Sequence, residues 1–274
     1  MRATLFLLVE TLRQSVLAIT GQIRAGSFTP ALTEVRFGHG APFPPIRLSL
    51  PDGSEALVGG VIDRVDKAQV GGREILRIVD YKTGGRDFDF AGVLQGLTLQ
   101  LPLYLLAAAE RAETRAGLYY MPISQPVVSD AEEDIEGAVA EAFRLKGLTL
   151  SDAAVIRASD NALAGGKSAV LYKVEQTGDE EYAGSVCSKE QMESLLALAK
   201  KKSEQTLDRM LKGELAASPA ARKKRQEACI YCDYKSVCRF DPKKPGCRVR
   251  MLKTIKQDEF FELIGGDADG AMDE

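Results

Sequence analysis

Apolar side chains recur at helical spacing in the first 26 residues, at Leu5, Leu8, Leu12, Val16 and Ile19. Residues three and four apart share one face of a helix, so this pattern predicts an amphipathic helix from Met1 to about Gly26. Glu10 and Arg13 interrupt the apolar run, and no cleavage site of small residues follows, so a signal peptide is not expected. We therefore expect a cytoplasmic protein.

Alternating apolar and polar positions predict a series of strands after this helix. The predicted strands are Thr29–Arg36, Ile46–Leu50, Glu55–Val65, Glu74–Tyr81 and Gly117–Met121. A mostly apolar stretch, Val93–Ala112, predicts a buried helix before the last of them. A strand–helix–strand connection returns the chain parallel to the strand it left. The pattern therefore predicts an α/β fold with a mixed sheet flanked by helices.

The second half of the chain is less regular. Ser129–Gly184 predicts irregular structure with one strand at Ser168–Val174, and Lys189–Leu215 predicts a long helix with a polar face. A compact cysteine-bearing segment, Cys229–Cys247, follows. The small and acidic residues of Asp267–Glu274 predict disorder.

A Gly-Gly-Lys-Ser run at Gly165–Ser168 is similar to the end of a phosphate-binding loop. That loop requires a glycine where this chain has Asn161, and no strand–loop–helix frame surrounds the run. The sequence therefore predicts a turn here and lends no support to an ATPase.

Charge is unevenly distributed along the chain. The net charge of the whole sequence is −3, yet residues 199–250 carry 15 lysines and arginines against 6 acidic residues, a local balance of +9. Such a segment is either a solvated helix face or a site for phosphates. The run Arg222–Arg225 is the strongest candidate for phosphate contacts.

Three charged residues occupy strand positions where core strands usually carry none: Asp63, Asp80 and Lys82. Asp80 and Lys82 are two apart and therefore share a face, which Asp63 reaches if the two strands pair antiparallel. Converging carboxylates repel each other, and a divalent cation such as Mg²⁺ or Mn²⁺ relieves that repulsion. The alternative is a surface ion pair without chemistry.

A resemblance to a known family covers most of the chain. Its motifs are Gly60-Val-Ile-Asp-Arg-Val-Asp66, Val79-Asp-Tyr-Lys-Thr-Gly84, Gly96-Leu-Thr-Leu-Gln-Leu-Pro-Leu-Tyr104 and the cysteine segment. The sequence resembles the RecB-like nucleases of the PD-(D/E)XK superfamily, and within them the C-terminal nuclease domains of AddB-type helicase–nuclease proteins. The resemblance implies a restriction-endonuclease-like sheet core followed by a cysteine-bearing module.

The resemblance also implies roles for individual residues. Asp63 and Asp80 become metal ligands, Lys82 the catalytic lysine, and Gln100 and Tyr104 the helix pair that contacts the active centre or the DNA. Glu34 matches a supporting glutamate of the family. The family's upstream histidine has no clear counterpart, because the one histidine, His39, lies in a glycine-flanked loop.

Cys229, Cys232 and Cys238 are spaced closely enough to bind a metal or an iron–sulfur cluster. The resemblance implies a [4Fe-4S] cluster, whose fourth cysteine lies far upstream in the family. No cysteine precedes Cys187 here, so the chain is expected to be part of a longer protein; Cys247 is an alternative fourth ligand.

Together these features predict a nuclease core at residues 1–220, a basic cysteine-rich module at 221–250 and a tail at 251–274. The expected activity is Mg²⁺- or Mn²⁺-dependent, exonucleolytic cleavage of single-stranded DNA. The resemblance implies an AddA-type helicase partner and a role in double-strand break repair. The alternative is a non-catalytic DNA-binding or assembly module that retains the nuclease fold.

Overall fold

A computed structural model of the chain describes seven stretches, namely residues 2–84, 87–108, 114–123, 135–163, 165–214, 216–222 and 227–265. The chain divides into two compact units. The first comprises Met1–Leu48, Glu55–Phe88 and Gln100–Ala197, and the second comprises Ser49–Ser54, Asp89–Leu99 and Leu198–Glu274.

The helices and strands follow one another along the described residues. The helices are α1 (Arg2–Ala25), α2 (Phe90–Leu94), α3 (Gln100–Ala108), α4 (Ile135–Ala142), α5 (Ala153–Ser159), α6 (Lys189–Leu211), α7 (Glu227–Ile230), α8 (Lys235–Cys238) and α9 (Gln257–Gly265). The strands are β1 (Thr29–Phe37), β2 (Ile46–Ser49), β3 (Glu55–Val58), β4 (Gly60–Val70), β5 (Arg73–Lys82), β6 (Thr114–Pro122), β7 (Lys146–Leu150), β8 (Gly166–Lys167), β9 (Val174–Gln176), β10 (Tyr182–Gly184), β11 (Val186–Cys187), β12 (Ala220–Ala221) and β13 (Arg250–Met251).

A six-stranded mixed sheet in the order β1-β4-β5-β6-β7-β11 forms the centre of the first unit. β4 pairs antiparallel with β1 and β5, β6 pairs parallel with β5, and β7 pairs antiparallel with β6. Gly71 and Gly72, with φ of 58° and 81°, close the tight turn between β4 and β5, which requires positive φ at both positions. The predicted mixed sheet flanked by helices is confirmed.

The two faces of this sheet differ in what they bury. On the face of Val79 and Tyr119, here called the reverse face, α1 packs Ala18 and Ile19 onto the sheet core. α5 covers the same face through Val155. On the opposite face, here called the site face, α3 contacts β5 and β6. Each face of the sheet is therefore shielded by at least one helix.

Three charged side chains lie fully buried on the reverse face: Arg64, Asp66 and Arg77. Asp66 accepts from Arg64 Nη2 at 3.0 Å and from Arg77 Nε at 2.9 Å. The guanidinium carbon of Arg77 lies 4.2 Å from the ring centre of Phe28. Burial lowers the pKa of Arg77, and the nearby carboxylate of Asp66 opposes that shift. The hydrogen bonds within this charge triad offset the cost of removing its three members from solvent.

α1 is the one helix of the described residues long and apolar enough, over Thr4–Ala25, to cross a membrane by length and composition. Its C-terminal half nevertheless contributes to the protein core. Gln22 is buried, and its amide donates to the Phe143 carbonyl at 2.8 Å. The segment therefore behaves as a helix of the folded unit at that end, while Leu5 and Phe6 are exposed at the other.

The predicted single helix Val93–Ala112 is wrong. α2 ends at Leu94, and Gly96 at φ 71° redirects the chain before α3 begins at Gln100. A left-handed glycine just past the last helical residues is a common way to end a helix. Pro102 is tolerated in the first turn of α3, where its missing N–H leaves no hydrogen bond unmade. Residues 109–112 lie outside the described part.

Two predicted strands also need correction. The strand predicted at Glu55–Val65 is divided at Gly59 into β3 and β4, and β4 continues to Val70. The strand predicted at Ser168–Val174 is a turn up to Lys173, because the Ser168 hydroxyl accepts from the N–H groups of Val170 and Leu171. Local hydrogen bonds of a serine compete with strand pairing in this way. The turn predicted at Gly165–Ser168 enters the short strand β8 instead.

The remaining predicted helices and strands agree more closely with the structure. α1, β1, β5 and β6 lie where the sequence predicts them, and α6 ends four residues earlier than expected. The region predicted as irregular contains α4, β7 and α5 as well as the short strands β8 to β10. In the second unit, Phe260 of α9 lies 5.0 Å from Phe90, ring centre to ring centre. The predicted disorder of the acidic tail falls on residues outside the described part.

Replacing Asp66 with alanine is expected to lower the free energy of unfolding by about 3–5 kcal/mol, because it leaves two buried arginines without their carboxylate. Urea denaturation followed by far-UV circular dichroism measures the change. Asp66→Asn should lose less, since it retains one acceptor oxygen.

Glu180→Gln is the matched control for this prediction. It removes the partner of Arg157 from an ion pair whose side chains are 56% and 59% exposed. Such pairs contribute at most about 1 kcal/mol. Equal losses for Asp66→Ala and Glu180→Gln would contradict a stabilising role for the buried triad.

Candidate active site

The pairing of β4 with β5 brings two carboxylates together. Arg64 pairs with Val79, and continuing this antiparallel register by one residue places Asp63 opposite Asp80. Directly opposite residues of an antiparallel pair share a face, with Cβ atoms about 5 Å apart. The sequence prediction that Asp63 reaches the face of Asp80 depends on this antiparallel pairing, and the pairing is present.

Each carboxylate is held by a neighbour in the sheet. Asp63 Oδ2 accepts from the Tyr81 backbone N–H at 2.9 Å. Asp80 is fully buried, and its carboxylate forms an ion pair with the Lys82 ammonium. A buried carboxylate is costly without such a partner. The Lys82 side chain remains 24% exposed, so the pair opens toward solvent at the lysine end.

Helix α3 supplies two further polar groups to the same place. Lys82 Nζ donates to Gln100 Oε1 at 3.1 Å, and Gln100 Nε2 donates to the Tyr104 hydroxyl at 3.0 Å. An ammonium can only donate, so it requires the amide oxygen of Gln100 and thereby fixes the orientation of the amide. Tyr104 packs edge-on against Phe37, with ring centres 5.8 Å apart. The structure thus brings together all five predicted site residues, Asp63, Asp80, Lys82, Gln100 and Tyr104.

Tyr81 links this group to the buried charge triad on the reverse face. Its backbone N–H holds Asp63, while its hydroxyl accepts from Arg64 Nη1 at 3.0 Å. Because neighbouring residues of a strand point to opposite faces, the Tyr81 side chain lies behind the carboxylates. The position of Asp63 therefore depends on groups on both sides of the sheet.

The donor set suits a hard divalent cation. Among the described residues, no three His, Cys, Asp or Glu side chains form a group that could hold a metal ion. Mg²⁺ commonly binds through only one or two carboxylates and keeps waters or substrate phosphates in its other positions. Asp63 and Asp80, two carboxylates at facing strand positions, fit that mode of binding. They do not form an all-protein cage.

Glu34 and His39, both considered from the sequence, lie differently. Glu34 falls between Thr33 and Val35 of β1, which pair with Arg64 and Ile62, so its position is opposite Asp63. It is exposed and has a φ of 47°. His39 is exposed in the turn after β1 and belongs to no potential metal-binding group of the described residues.

The cysteines of the second unit are free thiols. Cys229 and Cys232 are half-buried and Cys238 is exposed. Within the described part of the chain they form no metal-holding group with one another or with Cys247. The [4Fe-4S] cluster that the resemblance implies therefore stays a prediction. Cys187 is separate: burial raises the pKa of its thiol to about 12, which makes it an inert core residue.

Only the first residue of the basic run Arg222–Arg225 belongs to the described part of the chain. Arg222 donates to the Asp89 carboxylate, and residues 223–225 lie outside that part. The predicted contact of the run with phosphates stays a prediction.

Sequence reasoning missed two residues that the sheet aligns with the site. Tyr120 pairs with Asp80 across β5 and β6, and Lys146 pairs with Tyr120 across β6 and β7. Lys82 Nζ lies 5.5 Å from the Tyr120 ring centre. An isolated lysine at the start of a five-residue strand carries no sequence signal, because its neighbours come from distant segments of the chain.

Comparison with known proteins agrees with this geometry. Residues 3–239 match the model of the PD-(D/E)XK nuclease superfamily. Proteins named as one subunit of an ATP-dependent helicase/deoxyribonuclease, from Thermoanaerobacter sp. (strain X514), Clostridium tetani (strain Massachusetts / E88) and Acetivibrio thermocellus, are each 32% identical to this chain. The alignments cover 94%, 93% and 94% of the chain and 23% of each relative. The chain thus spans about a quarter of the length of these relatives.

Proposed function

Because the chain belongs to the PD-(D/E)XK nuclease superfamily, we propose that it is a metal-dependent deoxyribonuclease domain that hydrolyses phosphodiester bonds of single-stranded DNA. The observation that carries the proposal is the assembly of Asp63, Asp80 and Lys82 on the site face. The matched relatives are named as deoxyribonuclease subunits, which supports DNA as the substrate. An intact set of facing carboxylates and lysine favours this function over a non-catalytic DNA-binding or assembly module.

Asp63 and Asp80 would hold Mg²⁺ or Mn²⁺. A bound cation of this kind polarises the phosphodiester and lowers the pKa of water, which makes water a better nucleophile. The protein's contribution is to hold both carboxylates so that they face each other. The Tyr81 N–H does this for Asp63 and the Lys82 ammonium does it for Asp80.

Lys82 is proposed to stabilise the negative charge that develops on the phosphate oxygens. Its ammonium lies between Asp80 and the Gln100 amide oxygen, so its direction is fixed before substrate binds. Preorganised cations stabilise a transition state without reorganising during the reaction. Tyr104 contributes by holding the Gln100 amide, and through it the lysine.

The name of the matched relatives also supports a role within a larger helicase–nuclease complex. We infer that this chain works beside an AddA-type helicase partner, in the cytoplasm, on DNA ends at double-strand breaks. We propose that cleavage is exonucleolytic, because a helicase that enters at a broken end would deliver strands with free ends to the nuclease.

Asp80→Asn and Lys82→Met are expected to reduce Mg²⁺-dependent cleavage of single-stranded DNA by about 100-fold or more, the usual loss when one preorganised charge is removed from an active site. Release of acid-soluble nucleotides from an end-labelled oligonucleotide measures the rate. Calorimetric titration with Mn²⁺ should show weaker binding for Asp80→Asn and near-normal binding for Lys82→Met.

Lys67→Met is the matched control. Lys67 lies on β4 and forms an ion pair with Glu74 at 2.7 Å, so the substitution removes a paired lysine from the same two strands. It should leave cleavage unchanged. Wild-type rates in both Asp80→Asn and Lys82→Met would rule out catalysis at this site, and DNA binding without any cleavage by the wild type would favour the assembly module.

The [4Fe-4S] cluster remains a separate proposal, supported by the spacing of Cys229, Cys232 and Cys238 and by the resemblance. Anaerobically purified protein is expected to contain iron and acid-labile sulfide and to show a broad brown absorbance band, both lost in a Cys229→Ser, Cys232→Ser double variant. Colourless, iron-free protein would contradict the proposal. Cys187→Ser, which changes a buried thiol outside the Cys229–Cys247 segment of the sequence, should leave the iron content unchanged.

A further inference from the structure

The row of paired residues that contains the carboxylates continues across the sheet beyond Asp80. Tyr120 on β6 pairs with Asp80, and Lys146 on β7 pairs with Tyr120. Paired residues on neighbouring strands share a face, so Lys146 lies on the site face. Strands are about 4.8 Å apart, which places the Lys146 backbone about 10 Å from that of Asp80.

Ammonium groups and phenol rings alternate along this direction. Lys82 Nζ lies 5.5 Å from the Tyr120 ring centre, Lys146 Nζ lies 4.8 Å from that of Tyr172, and Lys173 Nζ lies 5.0 Å from the same Tyr172 ring. These five residues are here called the lysine–tyrosine row. The Tyr172 backbone N–H donates to the Leu145 carbonyl at 3.0 Å, which fixes Tyr172 beside Lys146.

The Lys146 ammonium already holds an anion. The Asp87 carboxylate lies 3.1 Å from Lys146 Nζ. The lysine side chain is only 18% exposed, whereas that of Asp87 is 59% exposed. An ion pair with so exposed a partner is weak and exchangeable. The half-buried ammonium therefore offers an anion position that a phosphate can take from Asp87.

We propose that the lysine–tyrosine row is a binding subsite for the nucleic-acid strand next to the cleaved bond. Lys146 contacts a backbone phosphate in place of Asp87, and the half-buried Tyr172 ring packs against a base. This inference rests on the proposed nuclease function of the neighbouring carboxylates. A single strand suits the row because its bases are free to pack on aromatic rings, as those of a stacked duplex are not.

The central test substitutes the two members of one ion pair, Lys146 and Asp87, because the two substitutions should change the affinity for DNA in opposite directions. Binding of a fluorescein-labelled oligothymidylate is measured by anisotropy over a range of KCl concentrations, with Ca²⁺ replacing Mg²⁺. Lys146→Met should weaken binding and reduce the slope of log affinity against log salt by about 0.7, the value for one phosphate contact on a single strand. Asp87→Asn should strengthen binding several-fold, because it removes the competing anion.

Tyr172 is tested separately. Tyr172→Leu should weaken binding about tenfold with little change in the salt slope, and Tyr172→Phe should restore it, since only the ring is needed. Arg157→Met is the control for loss of a paired cation. Arg157 lies on α5, which covers the reverse face, and pairs with the exposed Glu180. It should bind as the wild type does.

Two results would overturn the subsite: a wild-type affinity and salt slope for Lys146→Met, or weaker binding for Asp87→Asn. The same preparations are assayed for Mg²⁺-dependent cleavage, which separates the two proposals. If the wild type cleaves DNA and the Lys146 and Asp87 variants bind DNA as the wild type does, the subsite proposal alone is rejected. If the two variants change DNA affinity in opposite directions but the wild type does not cleave DNA, the nuclease proposal is rejected and the strand-binding role of the row is kept.

Discussion

The buried contact of Asp66 on β4 with Arg77 on β5, beside Arg64, constrains how these two strands pair. A shift of one residue between β4 and β5 would place Arg77 on the face opposite to Arg64 and Asp66 and leave its guanidinium group without the carboxylate. Strands that pair only through apolar side chains tolerate a change of register better, because exchanging one buried valine for another costs little free energy. The same register places Asp63 opposite Asp80, so the geometry of the site face depends on the buried charges of the reverse face.

The sheet thus separates two kinds of polar chemistry. On the reverse face, the charges are enclosed and satisfied by one another, with Phe28 and Tyr81 completing their surroundings. On the site face, Lys82 is partly exposed and its partners lead outward through Gln100 and Tyr104. Tyr81 is the residue common to both, because its backbone serves one face and its side chain the other. The reverse face is therefore closed by its own contacts, whereas the site face opens toward solvent at Lys82.

The sequence predicts the parts of this arrangement that depend on local pattern. β5 and the shared face of Asp80 and Lys82 follow from a period of two, and α1 follows from helical spacing. The break at Gly96 and the turn at Ser168 were missed, because apolar composition outweighed one left-handed glycine and one serine hydroxyl. Lys146 and the internal partners of Asp66 could not be found this way, since both depend on which strands become neighbours. Ordered motifs, rather than periodicity, suggested the catalytic roles of the carboxylates and the lysine, and those roles stay predictions.

The order of strands has a kinetic consequence for how the site is assembled. β4 and β5 are joined by a two-residue turn, so the strand pairing that places Asp63 opposite Asp80 closes a short loop and is expected to form early in folding. β6 joins β5 only after the crossover through α3, and β7 follows later still. A chain arrested partway would already present the facing carboxylates, but without the lysine–tyrosine row beside them. Late docking of β6 and β7 would therefore separate the formation of the facing carboxylates from the formation of the complete lysine–tyrosine row during folding.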